Sequence, residues 1–195
     1  MKLPLNCEAE YHSDFLELKE AEDLFFELNE VMKKISFYPQ TVDGKKHNVN
    51  FGKLMIIDQY LFDQNRFPEK YWGVTRVWFG KLIKLKEKIE HFTNQKFQVC
   101  VLIYYPDGNS GVDFHSDYTA YGDTSIIPSI SLGEEREFKF REKESENEFT
   151  TRLANGSLII MGKYCQDRYE HSLPINPDYK NPRINLTFRK FGFEN

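Results

Sequence analysis

The sequence contains no run of eighteen apolar residues, which excludes an obvious transmembrane helix. Its first residues, MKLPLNCEAEY, lack the apolar stretch of a secretory signal peptide, so we expect an intracellular protein, cytoplasmic or nuclear, that does not associate with membranes. The three cysteines, Cys7, Cys100 and Cys165, share no metal-ligand spacing and indicate neither a zinc scaffold nor a disulfide framework. No internal repeat or linker divides the 195 residues, and we expect a single domain and a monomer.

Charge is distributed unevenly along the chain, although the net charge is only -4. Residues 1–30 hold 2 basic and 9 acidic side chains, whereas residues 31–100 hold 13 basic and 6 acidic ones. The acidic total argues against a general nucleic-acid coat, but a local basic surface is what contact with phosphates requires. A solvated helix face would produce the same excess of lysine, and composition leaves both interpretations open.

Two helices are predicted from apolar residues that recur at intervals of three and four, over residues 15–35 and about 77–92. Asp14, with Glu17 three residues later, predicts a capping box at the start of the first helix. This structural task accounts for the first of two His-Ser-Asp tripeptides, YHSDF at residues 11–15. Between the helices, residues 36–76 show no clear period and are expected to form an irregular functional lid.

From residue 96 the apolar period changes to two, which is typical of strands. KFQVCVLIYY alternates and is followed by the turn PDGN; further short strands are expected in GVDFHSD, SIIPSISL, REFKFR, FTTRL, SLIIM and RINLTFRKF. The charged run EKESENE is expected to form an exposed hairpin loop. Many short strands with turns between them indicate a sandwich or barrel.

The second His-Ser-Asp, FHSDY at residues 114–118, lies at the end of one of these predicted strands. Residues i and i+2 of a strand face the same way, so His115 and Asp117 can address one point. His171 is the plausible third ligand, and two histidines with one carboxylate form the facial triad that suits non-haem Fe(II). Zinc could take the same ligands and activate water.

The predicted last strand, RINLTFR, has one wholly polar face that contains Arg183, Asn185, Thr187 and Arg189. An exposed edge strand would show the same pattern. Two arginines on the strand after His171 could equally bind a small dicarboxylate, because guanidinium pairs with carboxylate through two hydrogen bonds.

Together these motifs resemble the AlkB family of Fe(II)/2-oxoglutarate dioxygenases, which repair alkylated nucleic acid bases. The family signature is His-x-Asp, a later His, then Arg-x-Asn-x-x-x-Arg, and here it is matched by His115, Asp117, His171 and RINLTFR at residues 183–189. SISLG, REFKFR, GSLIIM and HSLP also resemble the nucleic-acid-repair branch, so that the match covers about residues 96–195.

The resemblance implies an α+β, mainly β fold: a double-stranded β-helix, or jelly roll, over residues 96–195, preceded by a helical part with a nucleotide-recognition lid over residues 1–95. It implies iron binding by His115, Asp117 and His171, with O2 as the oxidant. Its implied 2-oxoglutarate ligands are Tyr105, Arg183, Asn185 and Arg189. The expected activity is oxidative demethylation of N-alkylated bases in DNA or RNA, and the residues expected to contact that substrate are Tyr118, Lys45, Lys46, His47 and Phe51.

Two positions depart from the family pattern. Many relatives have asparagine two residues before the cosubstrate tyrosine, where this chain has Ile103, so the cosubstrate pocket is expected to lack one hydrogen bond. Relatives that act on methylated bases often carry an acid directly after the metal aspartate, where this chain has Tyr118 and Thr119. Tyr118 is expected to stack on an extruded base instead.

Three alternatives remain open from the sequence: the same oxidation of a protein or small molecule, a catalytically silent nucleic-acid-binding relative, and a zinc hydrolase. In a zinc hydrolase, Arg183 and Arg189 would have no functional role.

Overall fold

The computed structural model describes residues 1–35, 40–42, 45–47, 49–117 and 119–192, with the backbone alone at 40–42 and 45–47. Its strands are β1 (Ala9–His12), β2 (Gln40–Val42), β3 (Lys45–His47), β4 (Gly52–Ile57), β5 (Thr75–Val77), β6 (Val99–Tyr105), β7 (Val112–His115), β8 (Ile127–Gly133), β9 (Arg136–Glu142), β10 (Glu148–Leu153), β11 (Leu158–Met161), β12 (Tyr169–Leu173) and β13 (Arg183–Arg189). Its helices are α1 (Leu18–Met32), α2 (Gln59–Asp63), α3 (Glu69–Trp72), α4 (Gly80–Thr93) and α5 (Cys165–Arg168).

Two sheets face each other across one cavity. The larger sheet has the strand order β1-β11-β8-β13-β6-β4-β5, and the smaller has the order β10-β9-β12-β7. Pairing is antiparallel except between β4 and β5, and β2 pairs separately with β3. The cavity is lined by β6, β8 and β13 on one side and by β7, β9 and β12 on the other. The fold is mainly β and matches the expected jelly roll.

The polar strand RINLTFR lies in the centre of the larger sheet, as β13. It pairs with β8 on one side and with β6 on the other, in the register that sets Asn185 opposite both Ser131 and Ile103. Its apolar residues Ile184, Leu186 and Phe188 are fully buried in the largest core cluster. The edge-strand interpretation is therefore wrong, and the polar face is an inner surface.

Helices α1 and α4 contribute to the same core cluster on the outer face of the larger sheet. Leu24 and Leu28 of α1 pack there with Leu82, Leu85 and Ile89 of α4. Within the described part of the chain, no helix combines the length and the apolar character needed to cross a lipid bilayer.

The first His-Ser-Asp does not open a helix, contrary to the sequence interpretation. Helix α1 begins at Leu18, with Glu17 at the N-cap position and no side-chain capping bond, so Asp14 does not cap it. His12 is instead the last residue of β1, opposite Leu158. Its ring packs edge-on against Phe92, 5.0 Å away, and its Nε2 lies 3.2 Å from a Glu10 carboxylate oxygen. Both copies of the tripeptide therefore begin at the last residue of a strand, and they differ in the residues that surround them in the fold.

The segment expected to be irregular, residues 36–76, contains regular structure where it is described. Residues 52–57 form β4, which pairs with β6 inside the larger sheet, and α2, α3 and β5 follow. The apolar run LMII shows no alternation because β4 is buried on both faces. Residues 1–95 thus supply three strands of the larger sheet, β1, β4 and β5, besides helices.

We predict that Leu186→Ala lowers the free energy of unfolding by about 2–5 kcal/mol, because it opens a cavity behind β13. Urea unfolding followed by circular dichroism measures the change. Ile175→Ala, at a side chain that is 57% exposed, serves as the control and is expected to change stability by less than about 1 kcal/mol. Equal effects of the two substitutions would contradict the central position of β13.

Candidate metal and cosubstrate site

Three potential metal ligands meet at one end of the cavity. His115 ends β7, Asp117 follows two residues later, and His171 lies on β12 directly opposite His115 in the strand pairing. The two imidazole centroids are 4.4 Å apart, and one ligand atom from each of the three residues lies within 4.8 Å of the others. Among the described residues this is the sole group of three such side chains, and its composition suits non-haem iron.

Contacts with neighbouring groups orient both imidazoles. The Nδ1–H of His115 donates to the Asp113 carbonyl at 2.8 Å, so Nε2 is the ring nitrogen left for a metal. Burial lowers the pKa of His171 to about 4, so its ring is neutral at physiological pH. Phe138 stacks against His171 with centroids 5.4 Å apart and restricts the ring's orientation.

Asp117 has one carboxylate oxygen that is satisfied by the protein and one that is not. Oδ1 accepts from Arg189 Nη1 at 3.2 Å. Oδ2 is buried, finds no hydrogen-bond donor among the described residues, and lies 3.9 Å from His171 Nε2. A buried carboxylate oxygen without a donor is costly unless a cation binds it. The residues present therefore fit a metal ion held between Asp117 and the two histidines.

The backbone of Asp117 is supported by a residue that the sequence did not identify. Its N–H donates to Gln166 Oε1 at 2.8 Å, and Gln166 is largely buried on the short helix α5. The Gln166 amide nitrogen in turn approaches the Met161 sulfur at 3.5 Å. No local motif marks Gln166, because its role depends on a contact between residues 49 positions apart.

The polar face of β13 forms the opposite wall of the cavity, beside Tyr105. Arg183 Nη2 donates to Ser131 Oγ at 2.8 Å and to Asn185 Oδ1 at 3.1 Å. Arg183 also pairs across the sheet with Tyr105, and its guanidinium lies 5.6 Å from that ring. The cavity, of about 320 Å³, joins this wall to the three potential metal ligands.

Burial changes the acid–base properties of this wall but leaves Arg183 charged at neutral pH. It lowers the pKa of Arg183 to about 10 and raises the pKa of the Tyr105 phenol to about 12. Tyr105 therefore keeps its proton and can donate it in a hydrogen bond. A buried cation beside a phenol donor fits a carboxylate ligand.

The cavity includes Phe51 and Ile103 in addition to the residues already described. The ring of Phe51 lies 5.9 Å from that of Tyr105. Lys45, Lys46 and His47 form strand β3, but their side chains are outside the described part of the structure, as is Tyr118.

The basic excess of residues 31–100 is partly balanced within the fold. Four lysines on or near α4 lie within 4 Å of carboxylates: Lys81 with Asp23, Lys86 with Asp58, Lys88 with Glu20, and Lys96 with Glu90. Two of these partners are on α1, in the acidic first part of the chain. For α4 the structure thus favours a solvated, ion-paired helix face over a dedicated phosphate-binding surface.

Comparison with known proteins gives three findings. The 2OG-Fe(II) oxygenase superfamily matches residues 8–189. The DNA oxidative demethylase ALKBH2 of Bos taurus is 29% identical over 95% of this chain and 69% of its own length, and the alpha-ketoglutarate-dependent dioxygenase alkB homolog 3 of Bos taurus is 30% identical over 90% of this chain and 63% of its own length. The structure of OsALKBH1 superposes with a TM-score of 0.67 at 16% identity, covering 96% of this chain and all of that one.

We predict that Gln166→Ala raises the dissociation constant for Fe(II) about 10-fold or more, because Asp117 loses the acceptor that orients its backbone. Anaerobic metal titration followed by quenching of intrinsic fluorescence measures the affinity. Gln98→Ala is a matched control, since the Gln98 side-chain oxygen also accepts a backbone N–H, from Phe191 at 3.0 Å. Unchanged affinity in a folded Gln166→Ala protein would show that this contact does not position the ligand.

Proposed function

Because the chain belongs to the 2OG-Fe(II) oxygenase superfamily, we propose that it oxidatively demethylates N-alkylated bases in DNA or RNA. The observation that carries the proposal is the convergence of His115, Asp117 and His171 with the Arg183 wall in one cavity. Fe(II), 2-oxoglutarate and O2 are the cofactor and cosubstrates of this family. The relative named as a DNA oxidative demethylase, ALKBH2 of Bos taurus, matches 95% of the chain, which supports nucleic acid as the substrate class.

His115, Asp117 and His171 are the proposed iron ligands. They would hold the metal through two imidazole nitrogens and one carboxylate oxygen, a ligand set that would leave coordination positions open for cosubstrate and O2. The neutral state of His171 makes its lone pair available at physiological pH. Arg189 supports the metal site by pairing with Asp117 Oδ1, so that Oδ2 would be available to the ion.

Arg183, Asn185 and Tyr105 are the proposed residues for the distal carboxylate of 2-oxoglutarate. Arg183 supplies a permanent charge, and Tyr105 supplies a neutral donor beside it. Ser131 and Asn185 hold the Arg183 guanidinium in place, which limits the loss of conformational freedom on binding. Arg189, on the same face as Arg183, is the proposed contact for the metal-bound end of the cosubstrate.

When bound, Fe(II), 2-oxoglutarate and O2 supply the oxidising chemistry, which converts the cosubstrate into succinate and CO2 and releases the N-methyl group as formaldehyde. The protein's part is to orient these groups and to exclude bulk water. Apolar side chains, among them Val101, Phe138 and Leu173, line part of the cavity. An extruded base would enter from the open side, past Phe51. Tyr118, Lys45, Lys46 and His47 remain the further proposed substrate contacts.

We predict that His171→Ala abolishes succinate formation, because one of three ligands to the iron is lost. Succinate is measured by mass spectrometry after incubation with Fe(II), 2-oxoglutarate and O2. His12→Ala is the matched control, since His12 belongs to the other His-Ser-Asp and packs against Phe92 away from the cavity. Succinate formation by the His171→Ala protein at the wild-type rate would refute the ligand assignment.

We predict that oligonucleotides with N-methylated bases lose one methyl group when incubated with the enzyme, Fe(II) and 2-oxoglutarate. The loss is followed by mass, with formaldehyde appearing in equal amount. Unmethylated oligonucleotides are the control and should not stimulate succinate formation. If methylated and unmethylated strands gave equal, slow succinate formation, the oxidation would belong to a protein or small-molecule substrate.

A further inference from the structure

Lys53 is a cationic side chain on the cavity wall that the proposed iron and cosubstrate contacts do not use. It lies on β4, and the cross-strand register places it opposite Ile103, which in turn lies opposite Asn185 on β13. Lys53 and Ile103 both line the cavity. Three neighbouring strands thus carry Asn185, Ile103 and Lys53 side by side. Two strand spacings, roughly 10 Å, separate Asn185 from Lys53.

The Lys53 side chain packs beside an aromatic ring. Its ammonium lies over the ring of Trp72, 5.6 Å from the centroid. Trp72 belongs to α3 and packs against Phe67 and Tyr121 with centroids 5.2 and 5.3 Å away. The apolar Ile103 separates Lys53 from Asn185. Lys53 therefore lines the cavity with one strand, β6, between it and the proposed carboxylate site.

No carboxylate among the described residues neutralises Lys53, in contrast to the lysines near α4. Burial lowers its pKa to about 8, and no charged neighbour offsets that shift. The described cavity lining contains three cations, Lys53, Arg183 and Arg189, and two carboxylates. Of these carboxylates, Asp113 is exposed, and Asp117 is engaged by Arg189.

Methylated bases fall into two charge classes. Methylation of adenine at N1 or of cytosine at N3 adds a group to a ring nitrogen that had no proton, so the product is a cation at neutral pH. Methylation of thymine or uracil at N3, or of guanine at N1, replaces an N–H, so the product is neutral and keeps its exocyclic carbonyl oxygen. A lysine ammonium repels the first class and can donate a hydrogen bond to the carbonyl of the second.

We propose that Lys53 is a specificity-determining residue that favours neutral, carbonyl-bearing methylated bases over cationic ones. The inference rests on the proposed demethylase function and deepens it by naming the substrate class. A lysine within the cavity opposes a fixed positive charge on the base. Of the two carboxylates in the described lining, Asp113 is exposed and Asp117 is paired with Arg189, and neither is paired with Lys53.

The test compares matched oligonucleotides that contain one N3-methylthymine or one N1-methyladenine in the same sequence. The ratio of kcat/KM for the two substrates is measured for the wild type and for Lys53→Met, Lys53→Arg and Lys163→Met. Methionine removes the charge with little loss of length, and arginine keeps the charge. Lys163 is exposed and lies 4.9 Å from the Tyr164 ring outside the cavity, so it controls for loss of a lysine beside an aromatic side chain.

We expect the wild type to favour N3-methylthymine and Lys53→Met to reduce that preference about 10-fold. Lys53→Arg should keep the preference, and Lys163→Met should match the wild type. Anaerobic binding of the same oligonucleotides, followed by fluorescence anisotropy, should shift in the same direction. Affinity for 2-oxoglutarate, measured by anaerobic calorimetry on the iron-loaded protein, should change less than about twofold in Lys53→Met.

Two results would overturn the inference while the proposed function stands. One is turnover of methylated strands with a preference that Lys53→Met leaves unchanged. The other is a loss of 2-oxoglutarate affinity in Lys53→Met without a change of base preference, which would assign Lys53 to the cosubstrate. Absence of demethylation from every strand by the wild type would overturn the proposed function, and this inference with it.

Discussion

The alternation of side chains along β13 is the constraint on which the site depends. Ile184, Leu186 and Phe188 are buried in the core that also contains α1 and α4, and this anchoring faces Arg183, Asn185 and Arg189 into the cavity. A shift of one residue in the register would exchange the two sets and put two arginines in the core. Burial of the apolar side chains of β13 therefore also places its polar side chains in the cavity. Pairing with both β6 and β8 maintains this register.

Charged side chains in the cavity include atoms that have no hydrogen-bond partner among the described residues. Asp117 Oδ2 lacks a hydrogen-bond donor among the described residues, and the Arg183 Nε–H lacks an acceptor. Such groups cost stability in a folded protein without ligands, and each becomes favourable when a cation or an anion binds beside it. The lysines near α4 differ in kind, because their carboxylate partners lie within the fold. The lysines near α4 therefore support the structure, whereas the charged groups of the cavity are available for binding.

The strands that were predicted from a two-residue period correspond closely to the structure, and β6 and β13 differ from their predicted ranges by only a few residues at their ends. The EKESENE run connects β9 to β10 as the expected hairpin loop. The strand β4 was missed because it is buried on both faces and shows no alternation. Asp14 was assigned a capping role from a local motif, but α1 begins three residues beyond the predicted start, so the motif and the helix do not meet. Local sequence patterns gave wrong predictions in two cases: where tertiary contacts bury both faces of a strand, as for β4, and where they determine the residue at which a helix begins, as for α1.

The sequence by itself determined the order of the site residues, the two faces of β13 and the pair formed by His115 and Asp117, because a period of two follows from backbone geometry alone. Tertiary structure decided which of two identical tripeptides meets a second histidine: His115 lies opposite His171, whereas His12 lies opposite Leu158. It also decided the contact of Gln166 with Asp117 and the place of Lys53 in the cavity wall beside Trp72. These depend on the pairing of strands and loops that are distant in the chain, and such pairing is selected by burial over the whole core rather than by neighbouring residues.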